Sequence, residues 1–213
     1  MNSVLAQLKV VLDGLAGTVT DKQQEILGRA SEKIKSLADL ATELLDLASI
    51  ESGLIIQEKE KLNFAELLKD QVIFYQSSAQ EKAVKLELSQ LPELPPVLGN
   101  RQNMEEILSN LITNAINYTP EGGRVAVSAR EEKNYLCISL SDNGIGISEE
   151  DLERIFNRFY RVKNEKTRYI MGTGLGLAIV KSIAEAHNCV IGVESRLDEG
   201  STFFIYVPLL TSS

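Results

Sequence analysis

Asp142-Asn143-Gly144-Ile145-Gly146-Ile147 and, thirty residues on, Gly172-Thr173-Gly174-Leu175-Gly176-Leu177 are the two stretches around which the chain is organised. Both are glycine-rich and both open onto helical patterns. Glycine lets backbone approach a ligand closely, and a helix start offers free N–H groups to phosphate. The pair therefore points to a nucleotide site. The first stretch also reads as a hairpin turn, because Asn-Gly after an alternating strand favours one. Against that reading, Ser148 with Asp151 forms a capping box that ends the return strand at once. A carboxylate at the strand end, backed by glycines, can instead accept a hydrogen bond from an adenine amino group. The second stretch lacks the Lys-Ser/Thr of a P-loop. It does not follow a strand, so a dinucleotide fingerprint does not fit.

Upstream, a helix over 101–117 places Glu106, Asn110 and Asn114 four residues apart on one face, with Asn103 and Asn117 near it. Ile107, Leu108, Leu111 and Ala115 take the apolar face. Asparagine is a poor helix former, so this face costs stability unless it is used or simply solvated. Amide oxygens suit Mg²⁺, which keeps most of its coordination for water and nucleotide phosphates.

The remaining pattern from residue 54 onward is mixed. A strand is expected over 54–61 and a helix from an Asn63 cap to about Ala79, with Phe64, Leu67, Leu68, Val72 and Phe74 or Tyr75 inward. Val84, Leu86 and Leu88 alternate as a strand. Leu91-Pro92-Glu93-Leu94-Pro95-Pro96 is a loop. Val125 and Val127, then Leu136, Ile138 and Leu140, form two strands of a hairpin. A short helix runs from Ser148 to Phe156, and residues 157–171 carry no periodicity. A helix spans 172–187, and strands over 190–195 and 202–207 close the chain. Clustered hairpins with a few helices predict an α+β sandwich rather than a parallel α/β sheet.

Residues 1–16 carry Val4, Leu5, Leu8, Val11, Leu12 and Leu15 at helical spacing. Asp13-Gly14-Leu15-Ala16-Gly17 stops that helix, and Thr20 with Gln23 starts the next. In the second helix Leu27, Ala30, Ile34, Leu37, Ala41, Leu44 and Ala48 alternate steps of three and four, a heptad seam. Leu40, Leu45 and Leu47 widen it. Such a hairpin buries its stripe either in a dimeric four-helix bundle or against its own downstream domain. The division expected is a helical domain at 1–53 and a second domain at 54–213.

The chain has 213 residues, 44% of them hydrophobic, enough for a core. Its 22 basic against 30 acidic residues give a net charge of −8, which argues against nucleic-acid binding. No apolar run of membrane-crossing length and no signal peptide is found, so a cytoplasmic location without direct membrane contact is expected. Cys137 and Cys189, each in a strand, read as reduced thiols. The one histidine, His187, sits at a helix end, where a cation suits the dipole, and is not read as catalytic.

These motifs together resemble those of bacterial sensor histidine kinases, in the wider gyrase/chaperone/histidine-kinase ATPase superfamily. Asn110 to Pro120 looks like the N box and Asp142 to Ile147 the G1 box. Phe156 to Arg161 looks like the F box and Gly172 to Leu177 the G2 box. The closing Glu199-Gly200-Ser201-Thr202-Phe203 resembles the family's last hairpin, and 1–53 its dimerisation domain. The resemblance implies that Asn114 ligates Mg²⁺, that Asn110 and Asn117 lie beside the phosphates and that Tyr118 packs along ATP. Asp142 would read adenine, with Gly144, Gly146 and Ile147 shaping the base pocket. Residues 148–172 would form a lid anchored by Phe156 and Phe159, with Arg158, Arg161 and Lys163 as its cations. Gly172, Thr173, Gly174, Leu175, Gly176 and Leu177 would meet the phosphates, and Thr202 would sit under the base.

The sequence departs from the family twice. Asn117 stands where lysine or arginine is common. The phosphoacceptor histidine of the first hairpin helix is absent, as though the chain began downstream of it. The resemblance thus implies a homodimer that binds Mg-ATP without phosphorylating itself. An intact parent would pass the γ-phosphate to histidine and on to a response-regulator receiver domain. A non-catalytic ATP-binding regulator is the alternative, and a serine kinase of the anti-sigma type a weaker one.

Overall fold

The computed structural model describes residues 2–51, 59–162, 165–168, 170 and 172–210. The chain divides into two compact units, Met1–Asp46 and Leu47–Ser213. The first holds α1 (Asn2–Leu12) and most of α2 (Asp21–Glu51). The helix start expected at Thr20 is made in full: Thr20 N–H donates to Gln23 Oε1 at 2.9 Å, and Gln23 N–H to Thr20 Oγ1 at 3.3 Å. Leu27, Ala30, Ile34 and Ala41 of the seam are half-buried, whereas Leu37 and Leu44 are exposed. No described residue before Leu47 is buried.

The second unit contains a five-stranded sheet in the order β2-β4-β5-β7-β6, from β2 (Lys85–Leu88), β4 (Arg124–Glu132), β5 (Tyr135–Asp142), β6 (Val190–Arg196) and β7 (Gly200–Pro208). β2 pairs parallel to β4 and the other pairs are antiparallel, so the sheet is mixed and the fold α+β. A second small sheet pairs β1 (Glu60–Leu62) with β3 (Val97–Gly99). The strand expected over 54–61 lies outside the described residues up to 58. Period-two alternation puts Val125, Val127, Leu136, Ile138, Leu140, Phe203, Ile205 and Val207 on one buried face. Against it lie α3 (Phe64–Glu81), α4 (Arg101–Tyr118) and α6 (Gly176–Ala186), with α4 touching both of the other helices. Met104, Ile107, Leu108, Leu111 and Ile112 of α4 are each at most 2% exposed, which makes α4 the central core helix.

Asn63 caps α3 as expected, accepting from Ala65 N–H and Glu66 N–H. Tyr75 is half-buried and bonds Ser109 Oγ, whereas Phe74 points outward at 73% exposure. Of the two starts open for α4, Asn100 is the cap: its side chain accepts from Asn103 N–H at 3.0 Å.

Three expectations change. The helix from Ser148 is the four-residue α5 (Glu149–Leu152), and Ser148 does not cap it; its hydroxyl donates to Asp151 Oδ2 at 2.6 Å. The last helix begins at Gly176 rather than 172, because Gly174 sits at φ +78°, outside helical space. His187 is not a surface cation. It is buried, its ring nitrogens facing Ile183 O at 3.0 Å and Asn100 N–H at 3.4 Å, and burial lowers its pKa. No helix among the described residues is long and apolar enough to cross a membrane.

Candidate functional site

A cavity of about 90 Å³ opens between the end of α4, the end of β5, β7 and the segment after α5. Asn114 and Tyr118 reach it from α4, one helical turn apart, because four residues bring side chains to the same face. Asp142 enters from the end of β5 and Gly146 and Ile147 from the loop beyond it. Arg161 and Leu177 complete the expected residues that line it.

Asp142 is held rigidly. Its carboxylate accepts from Gly144 N–H at 2.8 Å and from Ser201 N–H. Burial nonetheless raises its pKa, because desolvation outweighs the two bonds. The rest of the cavity wall is mostly apolar: Ala115, Ile145, Ile155, Val162 and Phe203. A half-buried carboxylate beside apolar walls suits a flat, partly polar ring that offers an N–H donor.

Most of these glycines are packed against other parts of the protein rather than leaving a gap for ligand. A Cβ on Gly144 would stand 2.4 Å from Tyr118 O, and one on Gly176 2.5 Å from Asn110 Oδ1. Gly146, at φ +64°, leaves 1.9 Å between a notional Cβ and Arg196 O. Gly174 lies against the backbone of Phe159, whose N–H donates to Gly174 O at 2.9 Å. Only Gly172 of the second motif faces open space.

Other expected residues lie apart from the cavity. Asn110 donates from its amide to Glu106 O at 3.0 Å and keeps its oxygen against Gly176. Asn117 is exposed. Thr173 Oγ1 accepts from Leu175 N–H, and Leu175 is fully buried. Phe156 is half-buried. Phe159 is 58% exposed, with its backbone at φ +61°, a conformation costly for an aromatic residue. Lys163 lies outside the described residues.

Thr202 faces the opposite side of β7, where its hydroxyl meets Ser141 Oγ at 2.9 Å, while its neighbour Ser201 lines the cavity. The alternation of Phe203, Ile205 and Val207 assigns Ser201 to the inner face, so the sequence held that signal.

The segment after α5 has no helix or strand among its described residues, yet it is tied down. Tyr160 hydroxyl donates to Asp151, and Arg154 stacks 4.4 Å over the Tyr160 ring. Asp151 is held below the usual carboxylate range by Ser148 and Tyr160. Arg161 donates to Gly172 O at 2.7 Å and to Ile170 O, spanning the segment's two ends. Thr167 is buried against the cavity, its hydroxyl on Val162 O at 2.7 Å. Tyr160 lies within the stretch that resembles the F box but is not singled out there, and no pattern marks Thr167, since their roles depend on contacts across the loop.

Among the described residues no three or more His, Cys, Asp or Glu side chains gather as a metal site. The cavity offers Asn114 as a neutral amide ligand. That donor set fits Mg²⁺ arriving with phosphate oxygens, since one protein oxygen then suffices, but not a bare cation.

The sequence profile of the family described as "Histidine kinase-, DNA gyrase B-, and HSP90-like ATPase" matches residues 99–211. Drug sensory protein A of Synechocystis is 34% identical over 86% of this chain and 29% of its own length. The sensor-like histidine kinase SenX3 of Mycolicibacterium smegmatis is 30% identical over 98% of this chain and 54% of its own. The chain thus spans between about a quarter and about half of the curated relatives it matches. Among solved structures, the catalytic domain of histidine kinase ThkA superposes with TM-score 0.61 at 27% identity, covering 71% of this chain and 96% of that one. Full-length ShkA in complex with AMPPNP superposes with TM-score 0.76 at 23% identity, over all of this chain and 46% of that one, which speaks for the fold.

Proposed function

Because the chain belongs to the histidine kinase-, DNA gyrase B- and HSP90-like ATPase family, with the ATPase domain of a sensor histidine kinase, we propose that it is the Mg-ATP-binding core of a two-component sensor kinase. The observation that carries this is the cavity shared by Asp142 and Asn114. Asp142 accepts the adenine amino proton, fixed in direction by Gly144 and Ser201 N–H. Tyr118 packs along the nucleotide. The N-terminus of α6 meets the phosphates through its free N–H groups. Asn114 supplies one amide oxygen to Mg²⁺, which would neutralise phosphate charge there.

The exposed Leu37, Leu44 and Leu45 of α2 support a homodimer through the helical unit, since scattered burial leaves that seam unfilled in one copy. The partner downstream is a response-regulator receiver domain, and the setting is the cytoplasm. His187, buried and bonded at both ring nitrogens, is not placed to accept a phosphoryl group. On this reading the chain binds Mg-ATP and does not phosphorylate itself on His187.

Calorimetry with and without Mg²⁺ tests the first half: no magnesium-dependent uptake of ATP overturns the reading. Incubation with γ-labelled ATP tests the second, where acid-labile label on this chain is the contrary result. The second reading is a non-catalytic ATP-binding regulator. A histidine-bearing helical hairpin supplied in trans separates the two, because only a kinase labels it.

A further inference from the structure

A helix end leaves its last four carbonyls without partners inside the helix. The end of α4 matters more than most, because Asn114 and Tyr118 project from its last turns into the cavity. All four carbonyls are satisfied. Ala115 O accepts from Thr119 N–H at 3.1 Å, and Tyr118 O from Ile145 N–H at 3.1 Å. Ile116 O accepts from the Lys82 ammonium at 2.8 Å, and Asn117 O accepts from the same ammonium. A cation at a helix C-terminus is favoured by the dipole, and charge-assisted bonds are stronger than neutral ones.

Lys82 belongs to another element. It is the residue that ends α3, and its own N–H donates to Ser78 O and Gln80 O. The next residue, Ala83, donates to Gln80 O at 2.9 Å and accepts from Gly122 N–H at 2.8 Å. The lysine stem therefore rises from backbone fixed both to α3 and to the turn that follows α4. The contact also reaches the base pocket. Ile145 docks on Tyr118 O, and Gly144 lies so close to that oxygen that a Cβ would stand 2.4 Å away. A shift of the helix end is thereby passed to the loop that follows Asp142 and carries Ile145.

We infer that Lys82 is a positioning residue of the nucleotide site, its ammonium fixing the last turn of α4 so that Asn114, Tyr118 and the loop after Asp142 keep their mutual placement. It touches no nucleotide itself. The inference rests on the Mg-ATP reading above.

The test compares the unsubstituted chain with Lys82→Met and Lys82→Arg, using Mg-ATP calorimetry well below the unfolding temperature. Lys82→Met leaves two helix-end carbonyls without a donor, and affinity falls about tenfold, a loss of one charge-assisted interaction. Lys82→Arg, which keeps a cationic donor, restores affinity to within about threefold. Amide spectra without nucleotide follow the same order: resonances of Asn114, Tyr118 and Ile145 move in Lys82→Met and return in Lys82→Arg. A folded Lys82→Met chain that binds as the unsubstituted chain does and leaves those resonances in place overturns the inference. If Lys82→Met does not fold, Lys82→Gln takes its place under the same criteria. An unsubstituted chain that binds no Mg-ATP brings down the proposed function instead, a different result from equal binding by both.

Discussion

Residues 1–46 and residues 47–213 use apolar side chains in opposite ways. In the first unit, α1 and α2 show regular apolar stripes, yet Leu37 is 60% exposed and Leu45 69%. In the second, the apolar positions of α4 and of four strands are nearly all hidden. Helical regularity alone thus does not bury a stripe; two helices lack the surface to enclose it, whereas a sheet with three helices on one face does not. The second unit is complete as a fold and spends part of that stability at Asp142. Its pKa is raised above 3.8 by burial, so the stability tied to this group is full below that value and is lost as pH rises through the folded pKa. The carboxylate proposed to read the base burdens the fold at neutral pH.

The contrast can be tested by a core deletion in the second unit and by charges placed on the exposed stripe of the first. Leu111→Ala, in the middle of α4, should lower the unfolding free energy of the second unit by about 3 kcal/mol. The chain has no tryptophan and its tyrosines begin at Tyr75, so tyrosine fluorescence in urea reports that unit alone. A loss under about 1 kcal/mol would mean the core is less closed than its burial indicates. Asp142→Asn should weaken Mg-ATP binding about a hundredfold by calorimetry, since the amino donor of the base loses its charged acceptor. Leu37→Glu with Leu44→Glu should weaken self-association at least about tenfold in sedimentation and leave Mg-ATP affinity within about twofold. Self-association unchanged by the pair would remove the dimer argument. The smallest effect is His187. Its folded pKa is below 6.5, so the unfolded chain gains a proton first as pH falls, and stability declines below about that pH. Urea unfolding at pH 7 and pH 5.5 should show a steeper decline for the unsubstituted chain than for His187→Gln.

Much of this is legible in the sequence alone. The alternating strands, the Asn63 cap, the Thr20–Gln23 box and the two glycine motifs follow local rules, and local rules are written in neighbouring residues. Asn114, Tyr118 and Asp142, which the family resemblance assigns to one site, all line the cavity. The helix starts at Gly176 and not at Gly172 because Gly174 takes a left-handed backbone, packed against Phe159 fifteen positions earlier. Ser201 was within reach, since strand alternation separates it from Thr202. Lys82, Tyr160 and Thr167 were not, because each acts on a carbonyl or carboxylate brought near only by the fold.

The crowding at Gly144, Gly146 and Gly200 has a practical consequence for mutational scanning. At Gly200 an added Cβ would meet Asp142 O at 2.0 Å, with no bound nucleotide involved. A survey scored only by nucleotide binding would mark these positions as ligand contacts. Paired with a measure of protein abundance, the same survey would reassign them to chain assembly, and the proposed site predicts Asp142 and Asn114 as positions where binding falls while abundance holds.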